Sequence, residues 1–166
     1  PVVIIDTPGM DDEGELGEMR VHRARQVLGI DLSRKMIEEA RRRNCGEGIL
    51  YEVCGIEEYE YPEAVWDCVV SNLALHYIED LDSVFEKVHR TLKKDGIFLF
   101  NIEHPVFTAG VGQDWAYGED GTPLYWPVDQ YFMPGERLTH FLGCEVRKQH
   151  HTLTQILMGL LRSGFV

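Results

Sequence analysis

Val27-Leu28-Gly29-Ile30-Asp31-Leu32-Ser33 is a short apolar run closed by an acid and a serine. A run of this length fits a buried strand, and Asp31 or Ser33 suits the N-cap of a helix that follows. Met36, Ile37 and Ala40 then recur at helical spacing. Glu38 and Glu39 come early and Arg41, Arg42 and Arg43 come last, an order that complements the helix dipole. Asn44 and Gly46 end this helix. The alternation repeats downstream. Ile49 to Val53 reads as a strand, and after the polar stretch Glu57 to Glu63 comes Asp67 to Ser71, a strand rich in valine. Asp80 or Asp82 caps a second helix with the stripe Leu81, Val84, Phe85, Val88 and Leu92. Lys93 and Lys94 close it, Asp95-Gly96 makes the turn, and Ile97 to Ile102 is the next strand. Near-continuous apolar strands with short connections predict an α/β fold, with a mostly parallel sheet and helices on both faces.

The chain of 166 residues has the length of one domain, and its formal net charge is −12. An acidic chain without a basic stripe argues against nucleic acid as a partner. No apolar run approaches the ~20 residues that cross a bilayer, so no membrane role is expected. Cys45, Cys54, Cys68 and Cys144 form no C-x-x-C pair, which points to thiols in a reducing cytoplasm, Cys54 and Cys68 buried. Residues 104–135 hold five glycines, four prolines and seven aromatics. This composition predicts a long loop without regular structure, of the kind that forms lids and binding surfaces. Val146 to His150 then reads as a strand. Thr152 caps a third helix with the stripe Leu153, Ile156, Leu157, Leu160 and Leu161, ended by Gly164.

Residues 25–166 resemble the class I S-adenosylmethionine-dependent methyltransferases. The resemblance rests on Val27 to Ser33, on Trp66 to Ile78 and on Leu92-Lys93-Lys94-Asp95-Gly96-Ile97-Phe98, in that order along the chain. Lys148 to Leu153 and Gly164-Phe165 resemble the small bacterial members that act on small molecules. The resemblance implies a Rossmann-like fold, S-adenosylmethionine as cofactor, and methyl transfer to a small-molecule acceptor. In such sheets ligands sit outside the carboxyl ends of the strands. There Asp31 would accept hydrogen bonds from both ribose hydroxyls, or else serve only as a helix cap. Leu32 and Met36 would wall the adenine. Gly55, Ile56 and Glu57 would read its edge, and Asn72 and Leu73 would line the floor under the sulfonium. His76, His104 and His150 are the candidates for a general base, should the acceptor need to lose a proton. His150-His151 lacks a third ligand at a sensible spacing, so no metal is expected.

The family's glycine-rich loop should begin near Gly9, where the sequence reads Gly9-Met10-Asp11-Asp12-Glu13-Gly14. Acids at 11–13 would repel the carboxylate of the cofactor. Residues 1–21 resemble another family, the GTPases that mature [FeFe]-hydrogenase, through Val2-Val3-Ile4-Ile5-Asp6-Thr7-Pro8-Gly9 and the acidic run after it. The D-x-x-G they contain binds Mg²⁺ and γ-phosphate in that family, but no G-x-x-x-x-G-K-[ST] accompanies it. The expectation is a chimera: a GTPase-like segment over 1–24 and a methyltransferase-like domain over 25–166, incomplete at both ends. Val2 to Asp6 would serve as a surrogate first strand, and exposed sheet edges would favour self-association. The alternatives are a non-catalytic α/β domain and a GTPase-derived nucleotide-binding fragment.

Overall fold

A computed structural model describes residues 2–6, 26–141 and 143–166. The expected glycine-loop position and most of the GTPase-like segment, residues 7–25, lie outside the described residues. The chain forms two compact units, Pro1–Ala74 with Ser83–Asn101, and Leu75–Asp82 with Ile102–Val166.

Among the described residues, the first unit is a five-stranded sheet with two helices. Its elements are β1 (Val2–Asp6), β2 (Val27–Asp31), α1 (Arg34–Arg43), β3 (Ile49–Val53), β4 (Trp66–Asn72), α2 (Leu81–Thr91, whose first two residues belong to the other unit) and β5 (Leu92–Asn101). The strand order is β3-β2-β1-β4-β5, and every pairing is parallel. This is the α/β architecture that the alternating pattern predicts. Val2–Asp6 lies at the centre of the sheet, Val2 opposite Val27 on one side and Cys68 on the other. Ile30, Val69, Val84, Phe85 and Val88 are between 0 and 1% exposed and form the core. Phe85 meets the rings of Phe98 and Phe100, with centroids 6.2 and 6.4 Å away.

Two boundaries differ from the pattern. The second helix stops at Thr91, and Leu92 opens β5 opposite Trp66 instead of closing the stripe. The Asp95-Gly96 turn is a register shift inside that strand, between the Trp66 and Cys68 pairings, with Asp95 at φ +63°. Cys54 and Cys68 are half-buried rather than buried, and all four cysteines are thiols.

Gly29 sits opposite Tyr51 on β3, and a Cβ there would lie 2.7 Å from the ring carbon Cδ1. The missing side chain lets the Tyr51 ring lie across the sheet. Gly29→Ala should therefore cost about 1–3 kcal/mol in urea unfolding, and Tyr51→Ala in the same background should recover part of it.

The second unit contains a 3-10 turn (Leu75–Tyr77), α3 (Pro105–Ala109), the hairpin β6 (Ala116–Tyr117) and β7 (Pro123–Tyr125), the antiparallel pair β8 (Gly135–Phe141) and β9 (Cys144–His150), and α4 (Leu153–Arg162). The stretch 104–135 is thus not a bare loop. It is fastened by Arg137, 7% exposed, which donates to the carbonyls of Ala109, Met133, Gly135 and Glu136. Trp126 Nε1 donates to the Val106 carbonyl. Sequence periodicity missed β8, because its buried positions carry the polar Arg137 and Thr139 while Leu138 and Phe141 are exposed. Helix α4 starts as expected, with a full capping box between Thr152 and Gln155. Its stripe is narrower than the pattern: Ile156 and Gly159 are buried, whereas Leu153, Leu157 and Leu161 are exposed. No helix among the described residues is long and apolar enough to cross a membrane.

Candidate functional site

The residues expected to hold the cofactor all belong to the first unit, and the sheet brings them to its carboxyl edge. Asp31 ends β2 opposite Val53, the last residue of β3, and Asn72 ends β4 opposite Asp6. Asp31 is 6% exposed. Its Oδ1 accepts from the Ser33 N–H at 2.6 Å, and its carbonyl accepts from the Cys54 N–H. The helix cap is Ser33, whose Oγ accepts from Met36 N–H. The cap reading of Asp31 is thereby corrected: its carboxylate stands two residues before the cap, at the strand end.

Beside it the apolar surface is open. Leu32 is 73% exposed and Met36 36%. Gly55 packs under Leu32, where a Cβ would lie 3.1 Å from Leu32 Cδ2. Ile56 is buried, and its carbonyl is taken by the Tyr61 hydroxyl at 2.8 Å. That removes one acceptor from the adenine-edge candidates; the Glu57 carboxylate is on an exposed residue whose own carbonyl accepts from Lys87. Asn72 Oδ1 accepts from Asn101 Nδ2. Leu73 has φ +49° and donates its N–H to the Asn101 carbonyl. A left-handed leucine at a strand end is the kind of backbone strain that collects at binding sites. A buried carboxylate beside exposed apolar side chains suits a ligand with vicinal hydroxyls and a flat apolar ring.

The three histidines belong to the second unit. His76 is 3% exposed, and its Nδ1 accepts from the Glu103 N–H at 3.5 Å. With Nδ1 accepting, the neutral ring carries its proton on Nε2. Burial pushes this imidazole down to about 4, with the Glu103 carboxylate opposing and the Lys148 ammonium adding to the shift. His104 caps α3, its Nδ1 accepting from the Val106 N–H. His150 is fully buried with both nitrogens engaged, Nδ1 by Thr108 Oγ1 and Nε2 by the Tyr131 carbonyl, each at 2.8 Å. None of the three presents an unprotonated nitrogen that is not already accepting. Residue type alone does not single out the ion pair of Glu103 and Lys148, 2.5 Å apart. Position was the available signal, since Glu103 follows the carboxyl end of β5.

The depressed His76 value sets a pH dependence. Above pH 6.5 the ring is neutral folded or unfolded. Below it the unfolded chain takes up a proton that the folded chain refuses until about 4. Stability should therefore fall through that window, by up to about 3 kcal/mol. Urea midpoints at half-unit pH steps should show this fall, and His76→Gln should flatten it.

The description "methyltransferase domain" matches residues 14–100. A crystal structure from Listeria monocytogenes, of a protein classed with the S-adenosylmethionine-dependent methyltransferases, is 41% identical, with a TM-score of 0.87. That alignment covers 98% of this chain and 72% of the other. An S-adenosylmethionine-dependent methyltransferase from Mesorhizobium loti is 37% identical over 98% of this chain and 74% of its own, with a TM-score of 0.82. An uncharacterised Haemophilus influenzae protein is 28% identical over 149 residues, 86% of this chain; the chain spans 59% of that relative's length. With more than half of its residues matched by the family and a solved relative alike across nearly all of them, the chain belongs to the S-adenosylmethionine-dependent methyltransferases.

Proposed function

We propose that the chain binds S-adenosylmethionine at the carboxyl edge of the β3-β2-β1-β4-β5 sheet and methylates a small molecule. The observation that supports the site most is the Asp31 carboxylate, 6% exposed at the end of β2, beside a Leu32 that is 73% exposed. The donor set fits the cofactor: Asp31 would hold the ribose hydroxyls, Leu32 and Met36 the adenine faces, Glu57 with the Gly55-Ile56 backbone its edge, and Asn72 and Leu73 the methionine side. When bound, the cofactor supplies a methyl group on a cationic sulfur, open to displacement by a nucleophile. The protein's own contribution is to hold the reactants and exclude water. In this reading His76 is a hydrogen-bond donor through Nε2–H, His104 orients α3, and His150 ties α3 to the Tyr131 backbone.

Calorimetric titration with S-adenosylhomocysteine tests the reading. One saturable site is expected, and a cooperatively folded chain that takes up none would overturn it. Asp11, Asp12 and Glu13 are proposed to weaken that site by repelling the ligand's carboxylate. Replacing all three by their amides should then tighten binding several-fold. The segment 1–24 is proposed to be of GTPase descent, joined to a methyltransferase, on the run Val2 to Gly9 and the acids after it; the methyltransferase match, from residue 14, overlaps this segment and counts against it. Resequencing the gene across this join from independent DNA tests whether it is natural. Self-association is proposed through the edge strands β3 and β5, where Leu50 and Ile97 are 68 and 63% exposed. A single monomeric species in sedimentation would rule it out.

A further inference from the structure

Glu103 and Lys148 form an ion pair in the second unit, their side chains 30% and 9% exposed. Withdrawing an ammonium this far from water is costly, and such a pair is seldom the most stable way to fill the space. Lys148 holds only one carboxylate oxygen, Oε1. Oε2 has no hydrogen-bond partner among the described residues. The carboxylate is close enough to the His76 and Tyr77 rings for its charge to act on both. These rings lie 4.4 Å apart, tilted by 44°. His76 Nε2 likewise has no hydrogen-bond partner among the described residues, although the side chain is 3% exposed. One open acceptor, one open donor and a partly exposed aromatic ring thus belong to one cluster of neighbouring residues in a single unit.

We propose that this cluster is the acceptor-recognition site, with Glu103 Oε2 accepting from an O–H of a neutral hydroxyl compound and Lys148 positioning that carboxylate. The inference rests on the methyltransferase reading only in naming the ligand as the acceptor. Charge selects the class. Lys148 balances Glu103 and His76 is neutral, so the cluster has no net charge to attract an ammonium, while Glu103 repels a carboxylate. The Tyr77 ring favours a hydroxyl carried on a flat apolar body. A site built to hydrogen-bond a hydroxyl rejects the analogue without it, because its own polar group is then left unpaired.

Phenol and toluene, nearly equal in shape with a methyl in place of the O–H, are the probes. They are titrated into the full chain while the NMR signals of His76 and Tyr77 are followed. Phenol should bind roughly tenfold or more tightly than toluene. Glu103→Gln should reduce that preference. The double variant Glu103→Met, Lys148→Met should abolish it, and it should fold because an apolar pair replaces the ionic one. Equal binding of the two probes, no binding of either, or a preference that survives in the double variant would overturn the proposal. Titration with S-adenosylhomocysteine separates the two readings. If the cofactor product binds and phenol is not preferred, this inference alone fails. If phenol is preferred and the cofactor product does not bind, the hydroxyl site stands and the methyltransferase reading fails.

Discussion

Asp31→Ala should weaken S-adenosylhomocysteine binding by roughly 100-fold or more. The two ribose hydroxyls would each donate to an ionised carboxylate, and hydrogen bonds to charged groups contribute about 1.5–3 kcal/mol each. Losing both removes at least ~3 kcal/mol, and each 1.4 kcal/mol is tenfold in affinity. The fold should suffer much less. Asp31 gives up its bond from Ser33 N–H, and the helix keeps its own cap at Ser33. A stability loss of ~1 kcal/mol is expected from that bond. Asp31→Asn sharpens the test, because it keeps an acceptor oxygen and removes the charge; its affinity should fall between wild type and alanine. If Asp31→Ala binds the ligand as wild type does, the non-catalytic α/β domain becomes the better reading of this chain.

Much of the first unit was legible because its chemistry is local. Ser33 and Asn44 announce helix ends with short polar side chains, and the structure uses both. The run Ile49–Val53 is strand of the stated extent, since β-branched and aromatic residues between turn signals leave little choice. The Leu92–Gly96 stretch was misread because its decisive contact, Leu92 opposite Trp66, spans 26 residues of chain. The second unit was less legible for the same reason. β8 and β9 are joined by antiparallel pairing, from Gly135 opposite His150 to Phe141 opposite Cys144. No period-2 pattern in Gly135–Phe141 announces this. The candidate histidines were found by residue type, whereas their roles depend on which nitrogen is already bonded. That Thr108 and the Tyr131 carbonyl enclose His150 could not be read from spacing. Glu103 was overlooked because a single glutamate after a strand is an ordinary surface residue until a buried lysine is found against it.

Phe85→Ala should be the most destabilising single truncation in the first unit, by about 3–5 kcal/mol. The side chain is 0% exposed on α2, between Val84 and Val88 at 1 and 0%. Its ring neighbours Phe98 and Phe100 are on β5, so truncation opens a cavity that two aromatic rings cannot readily fill. Such a loss is a large share of a marginal domain's stability. Ligand linkage then ties this variant to the site. S-adenosylhomocysteine at 100 times its dissociation constant stabilises any folded chain that binds it by about 2.7 kcal/mol. The ring neighbours of Phe85 are Phe98 and Phe100, neither of them a proposed ligand residue, so Phe85→Ala should recover that amount in urea unfolding, as wild type does. Asp31→Ala at the same ligand concentration should recover almost nothing. The pair of variants separates the two ways this unit can fail. One loses its core and keeps its site, while the other keeps its core and loses the carboxylate on which the site depends.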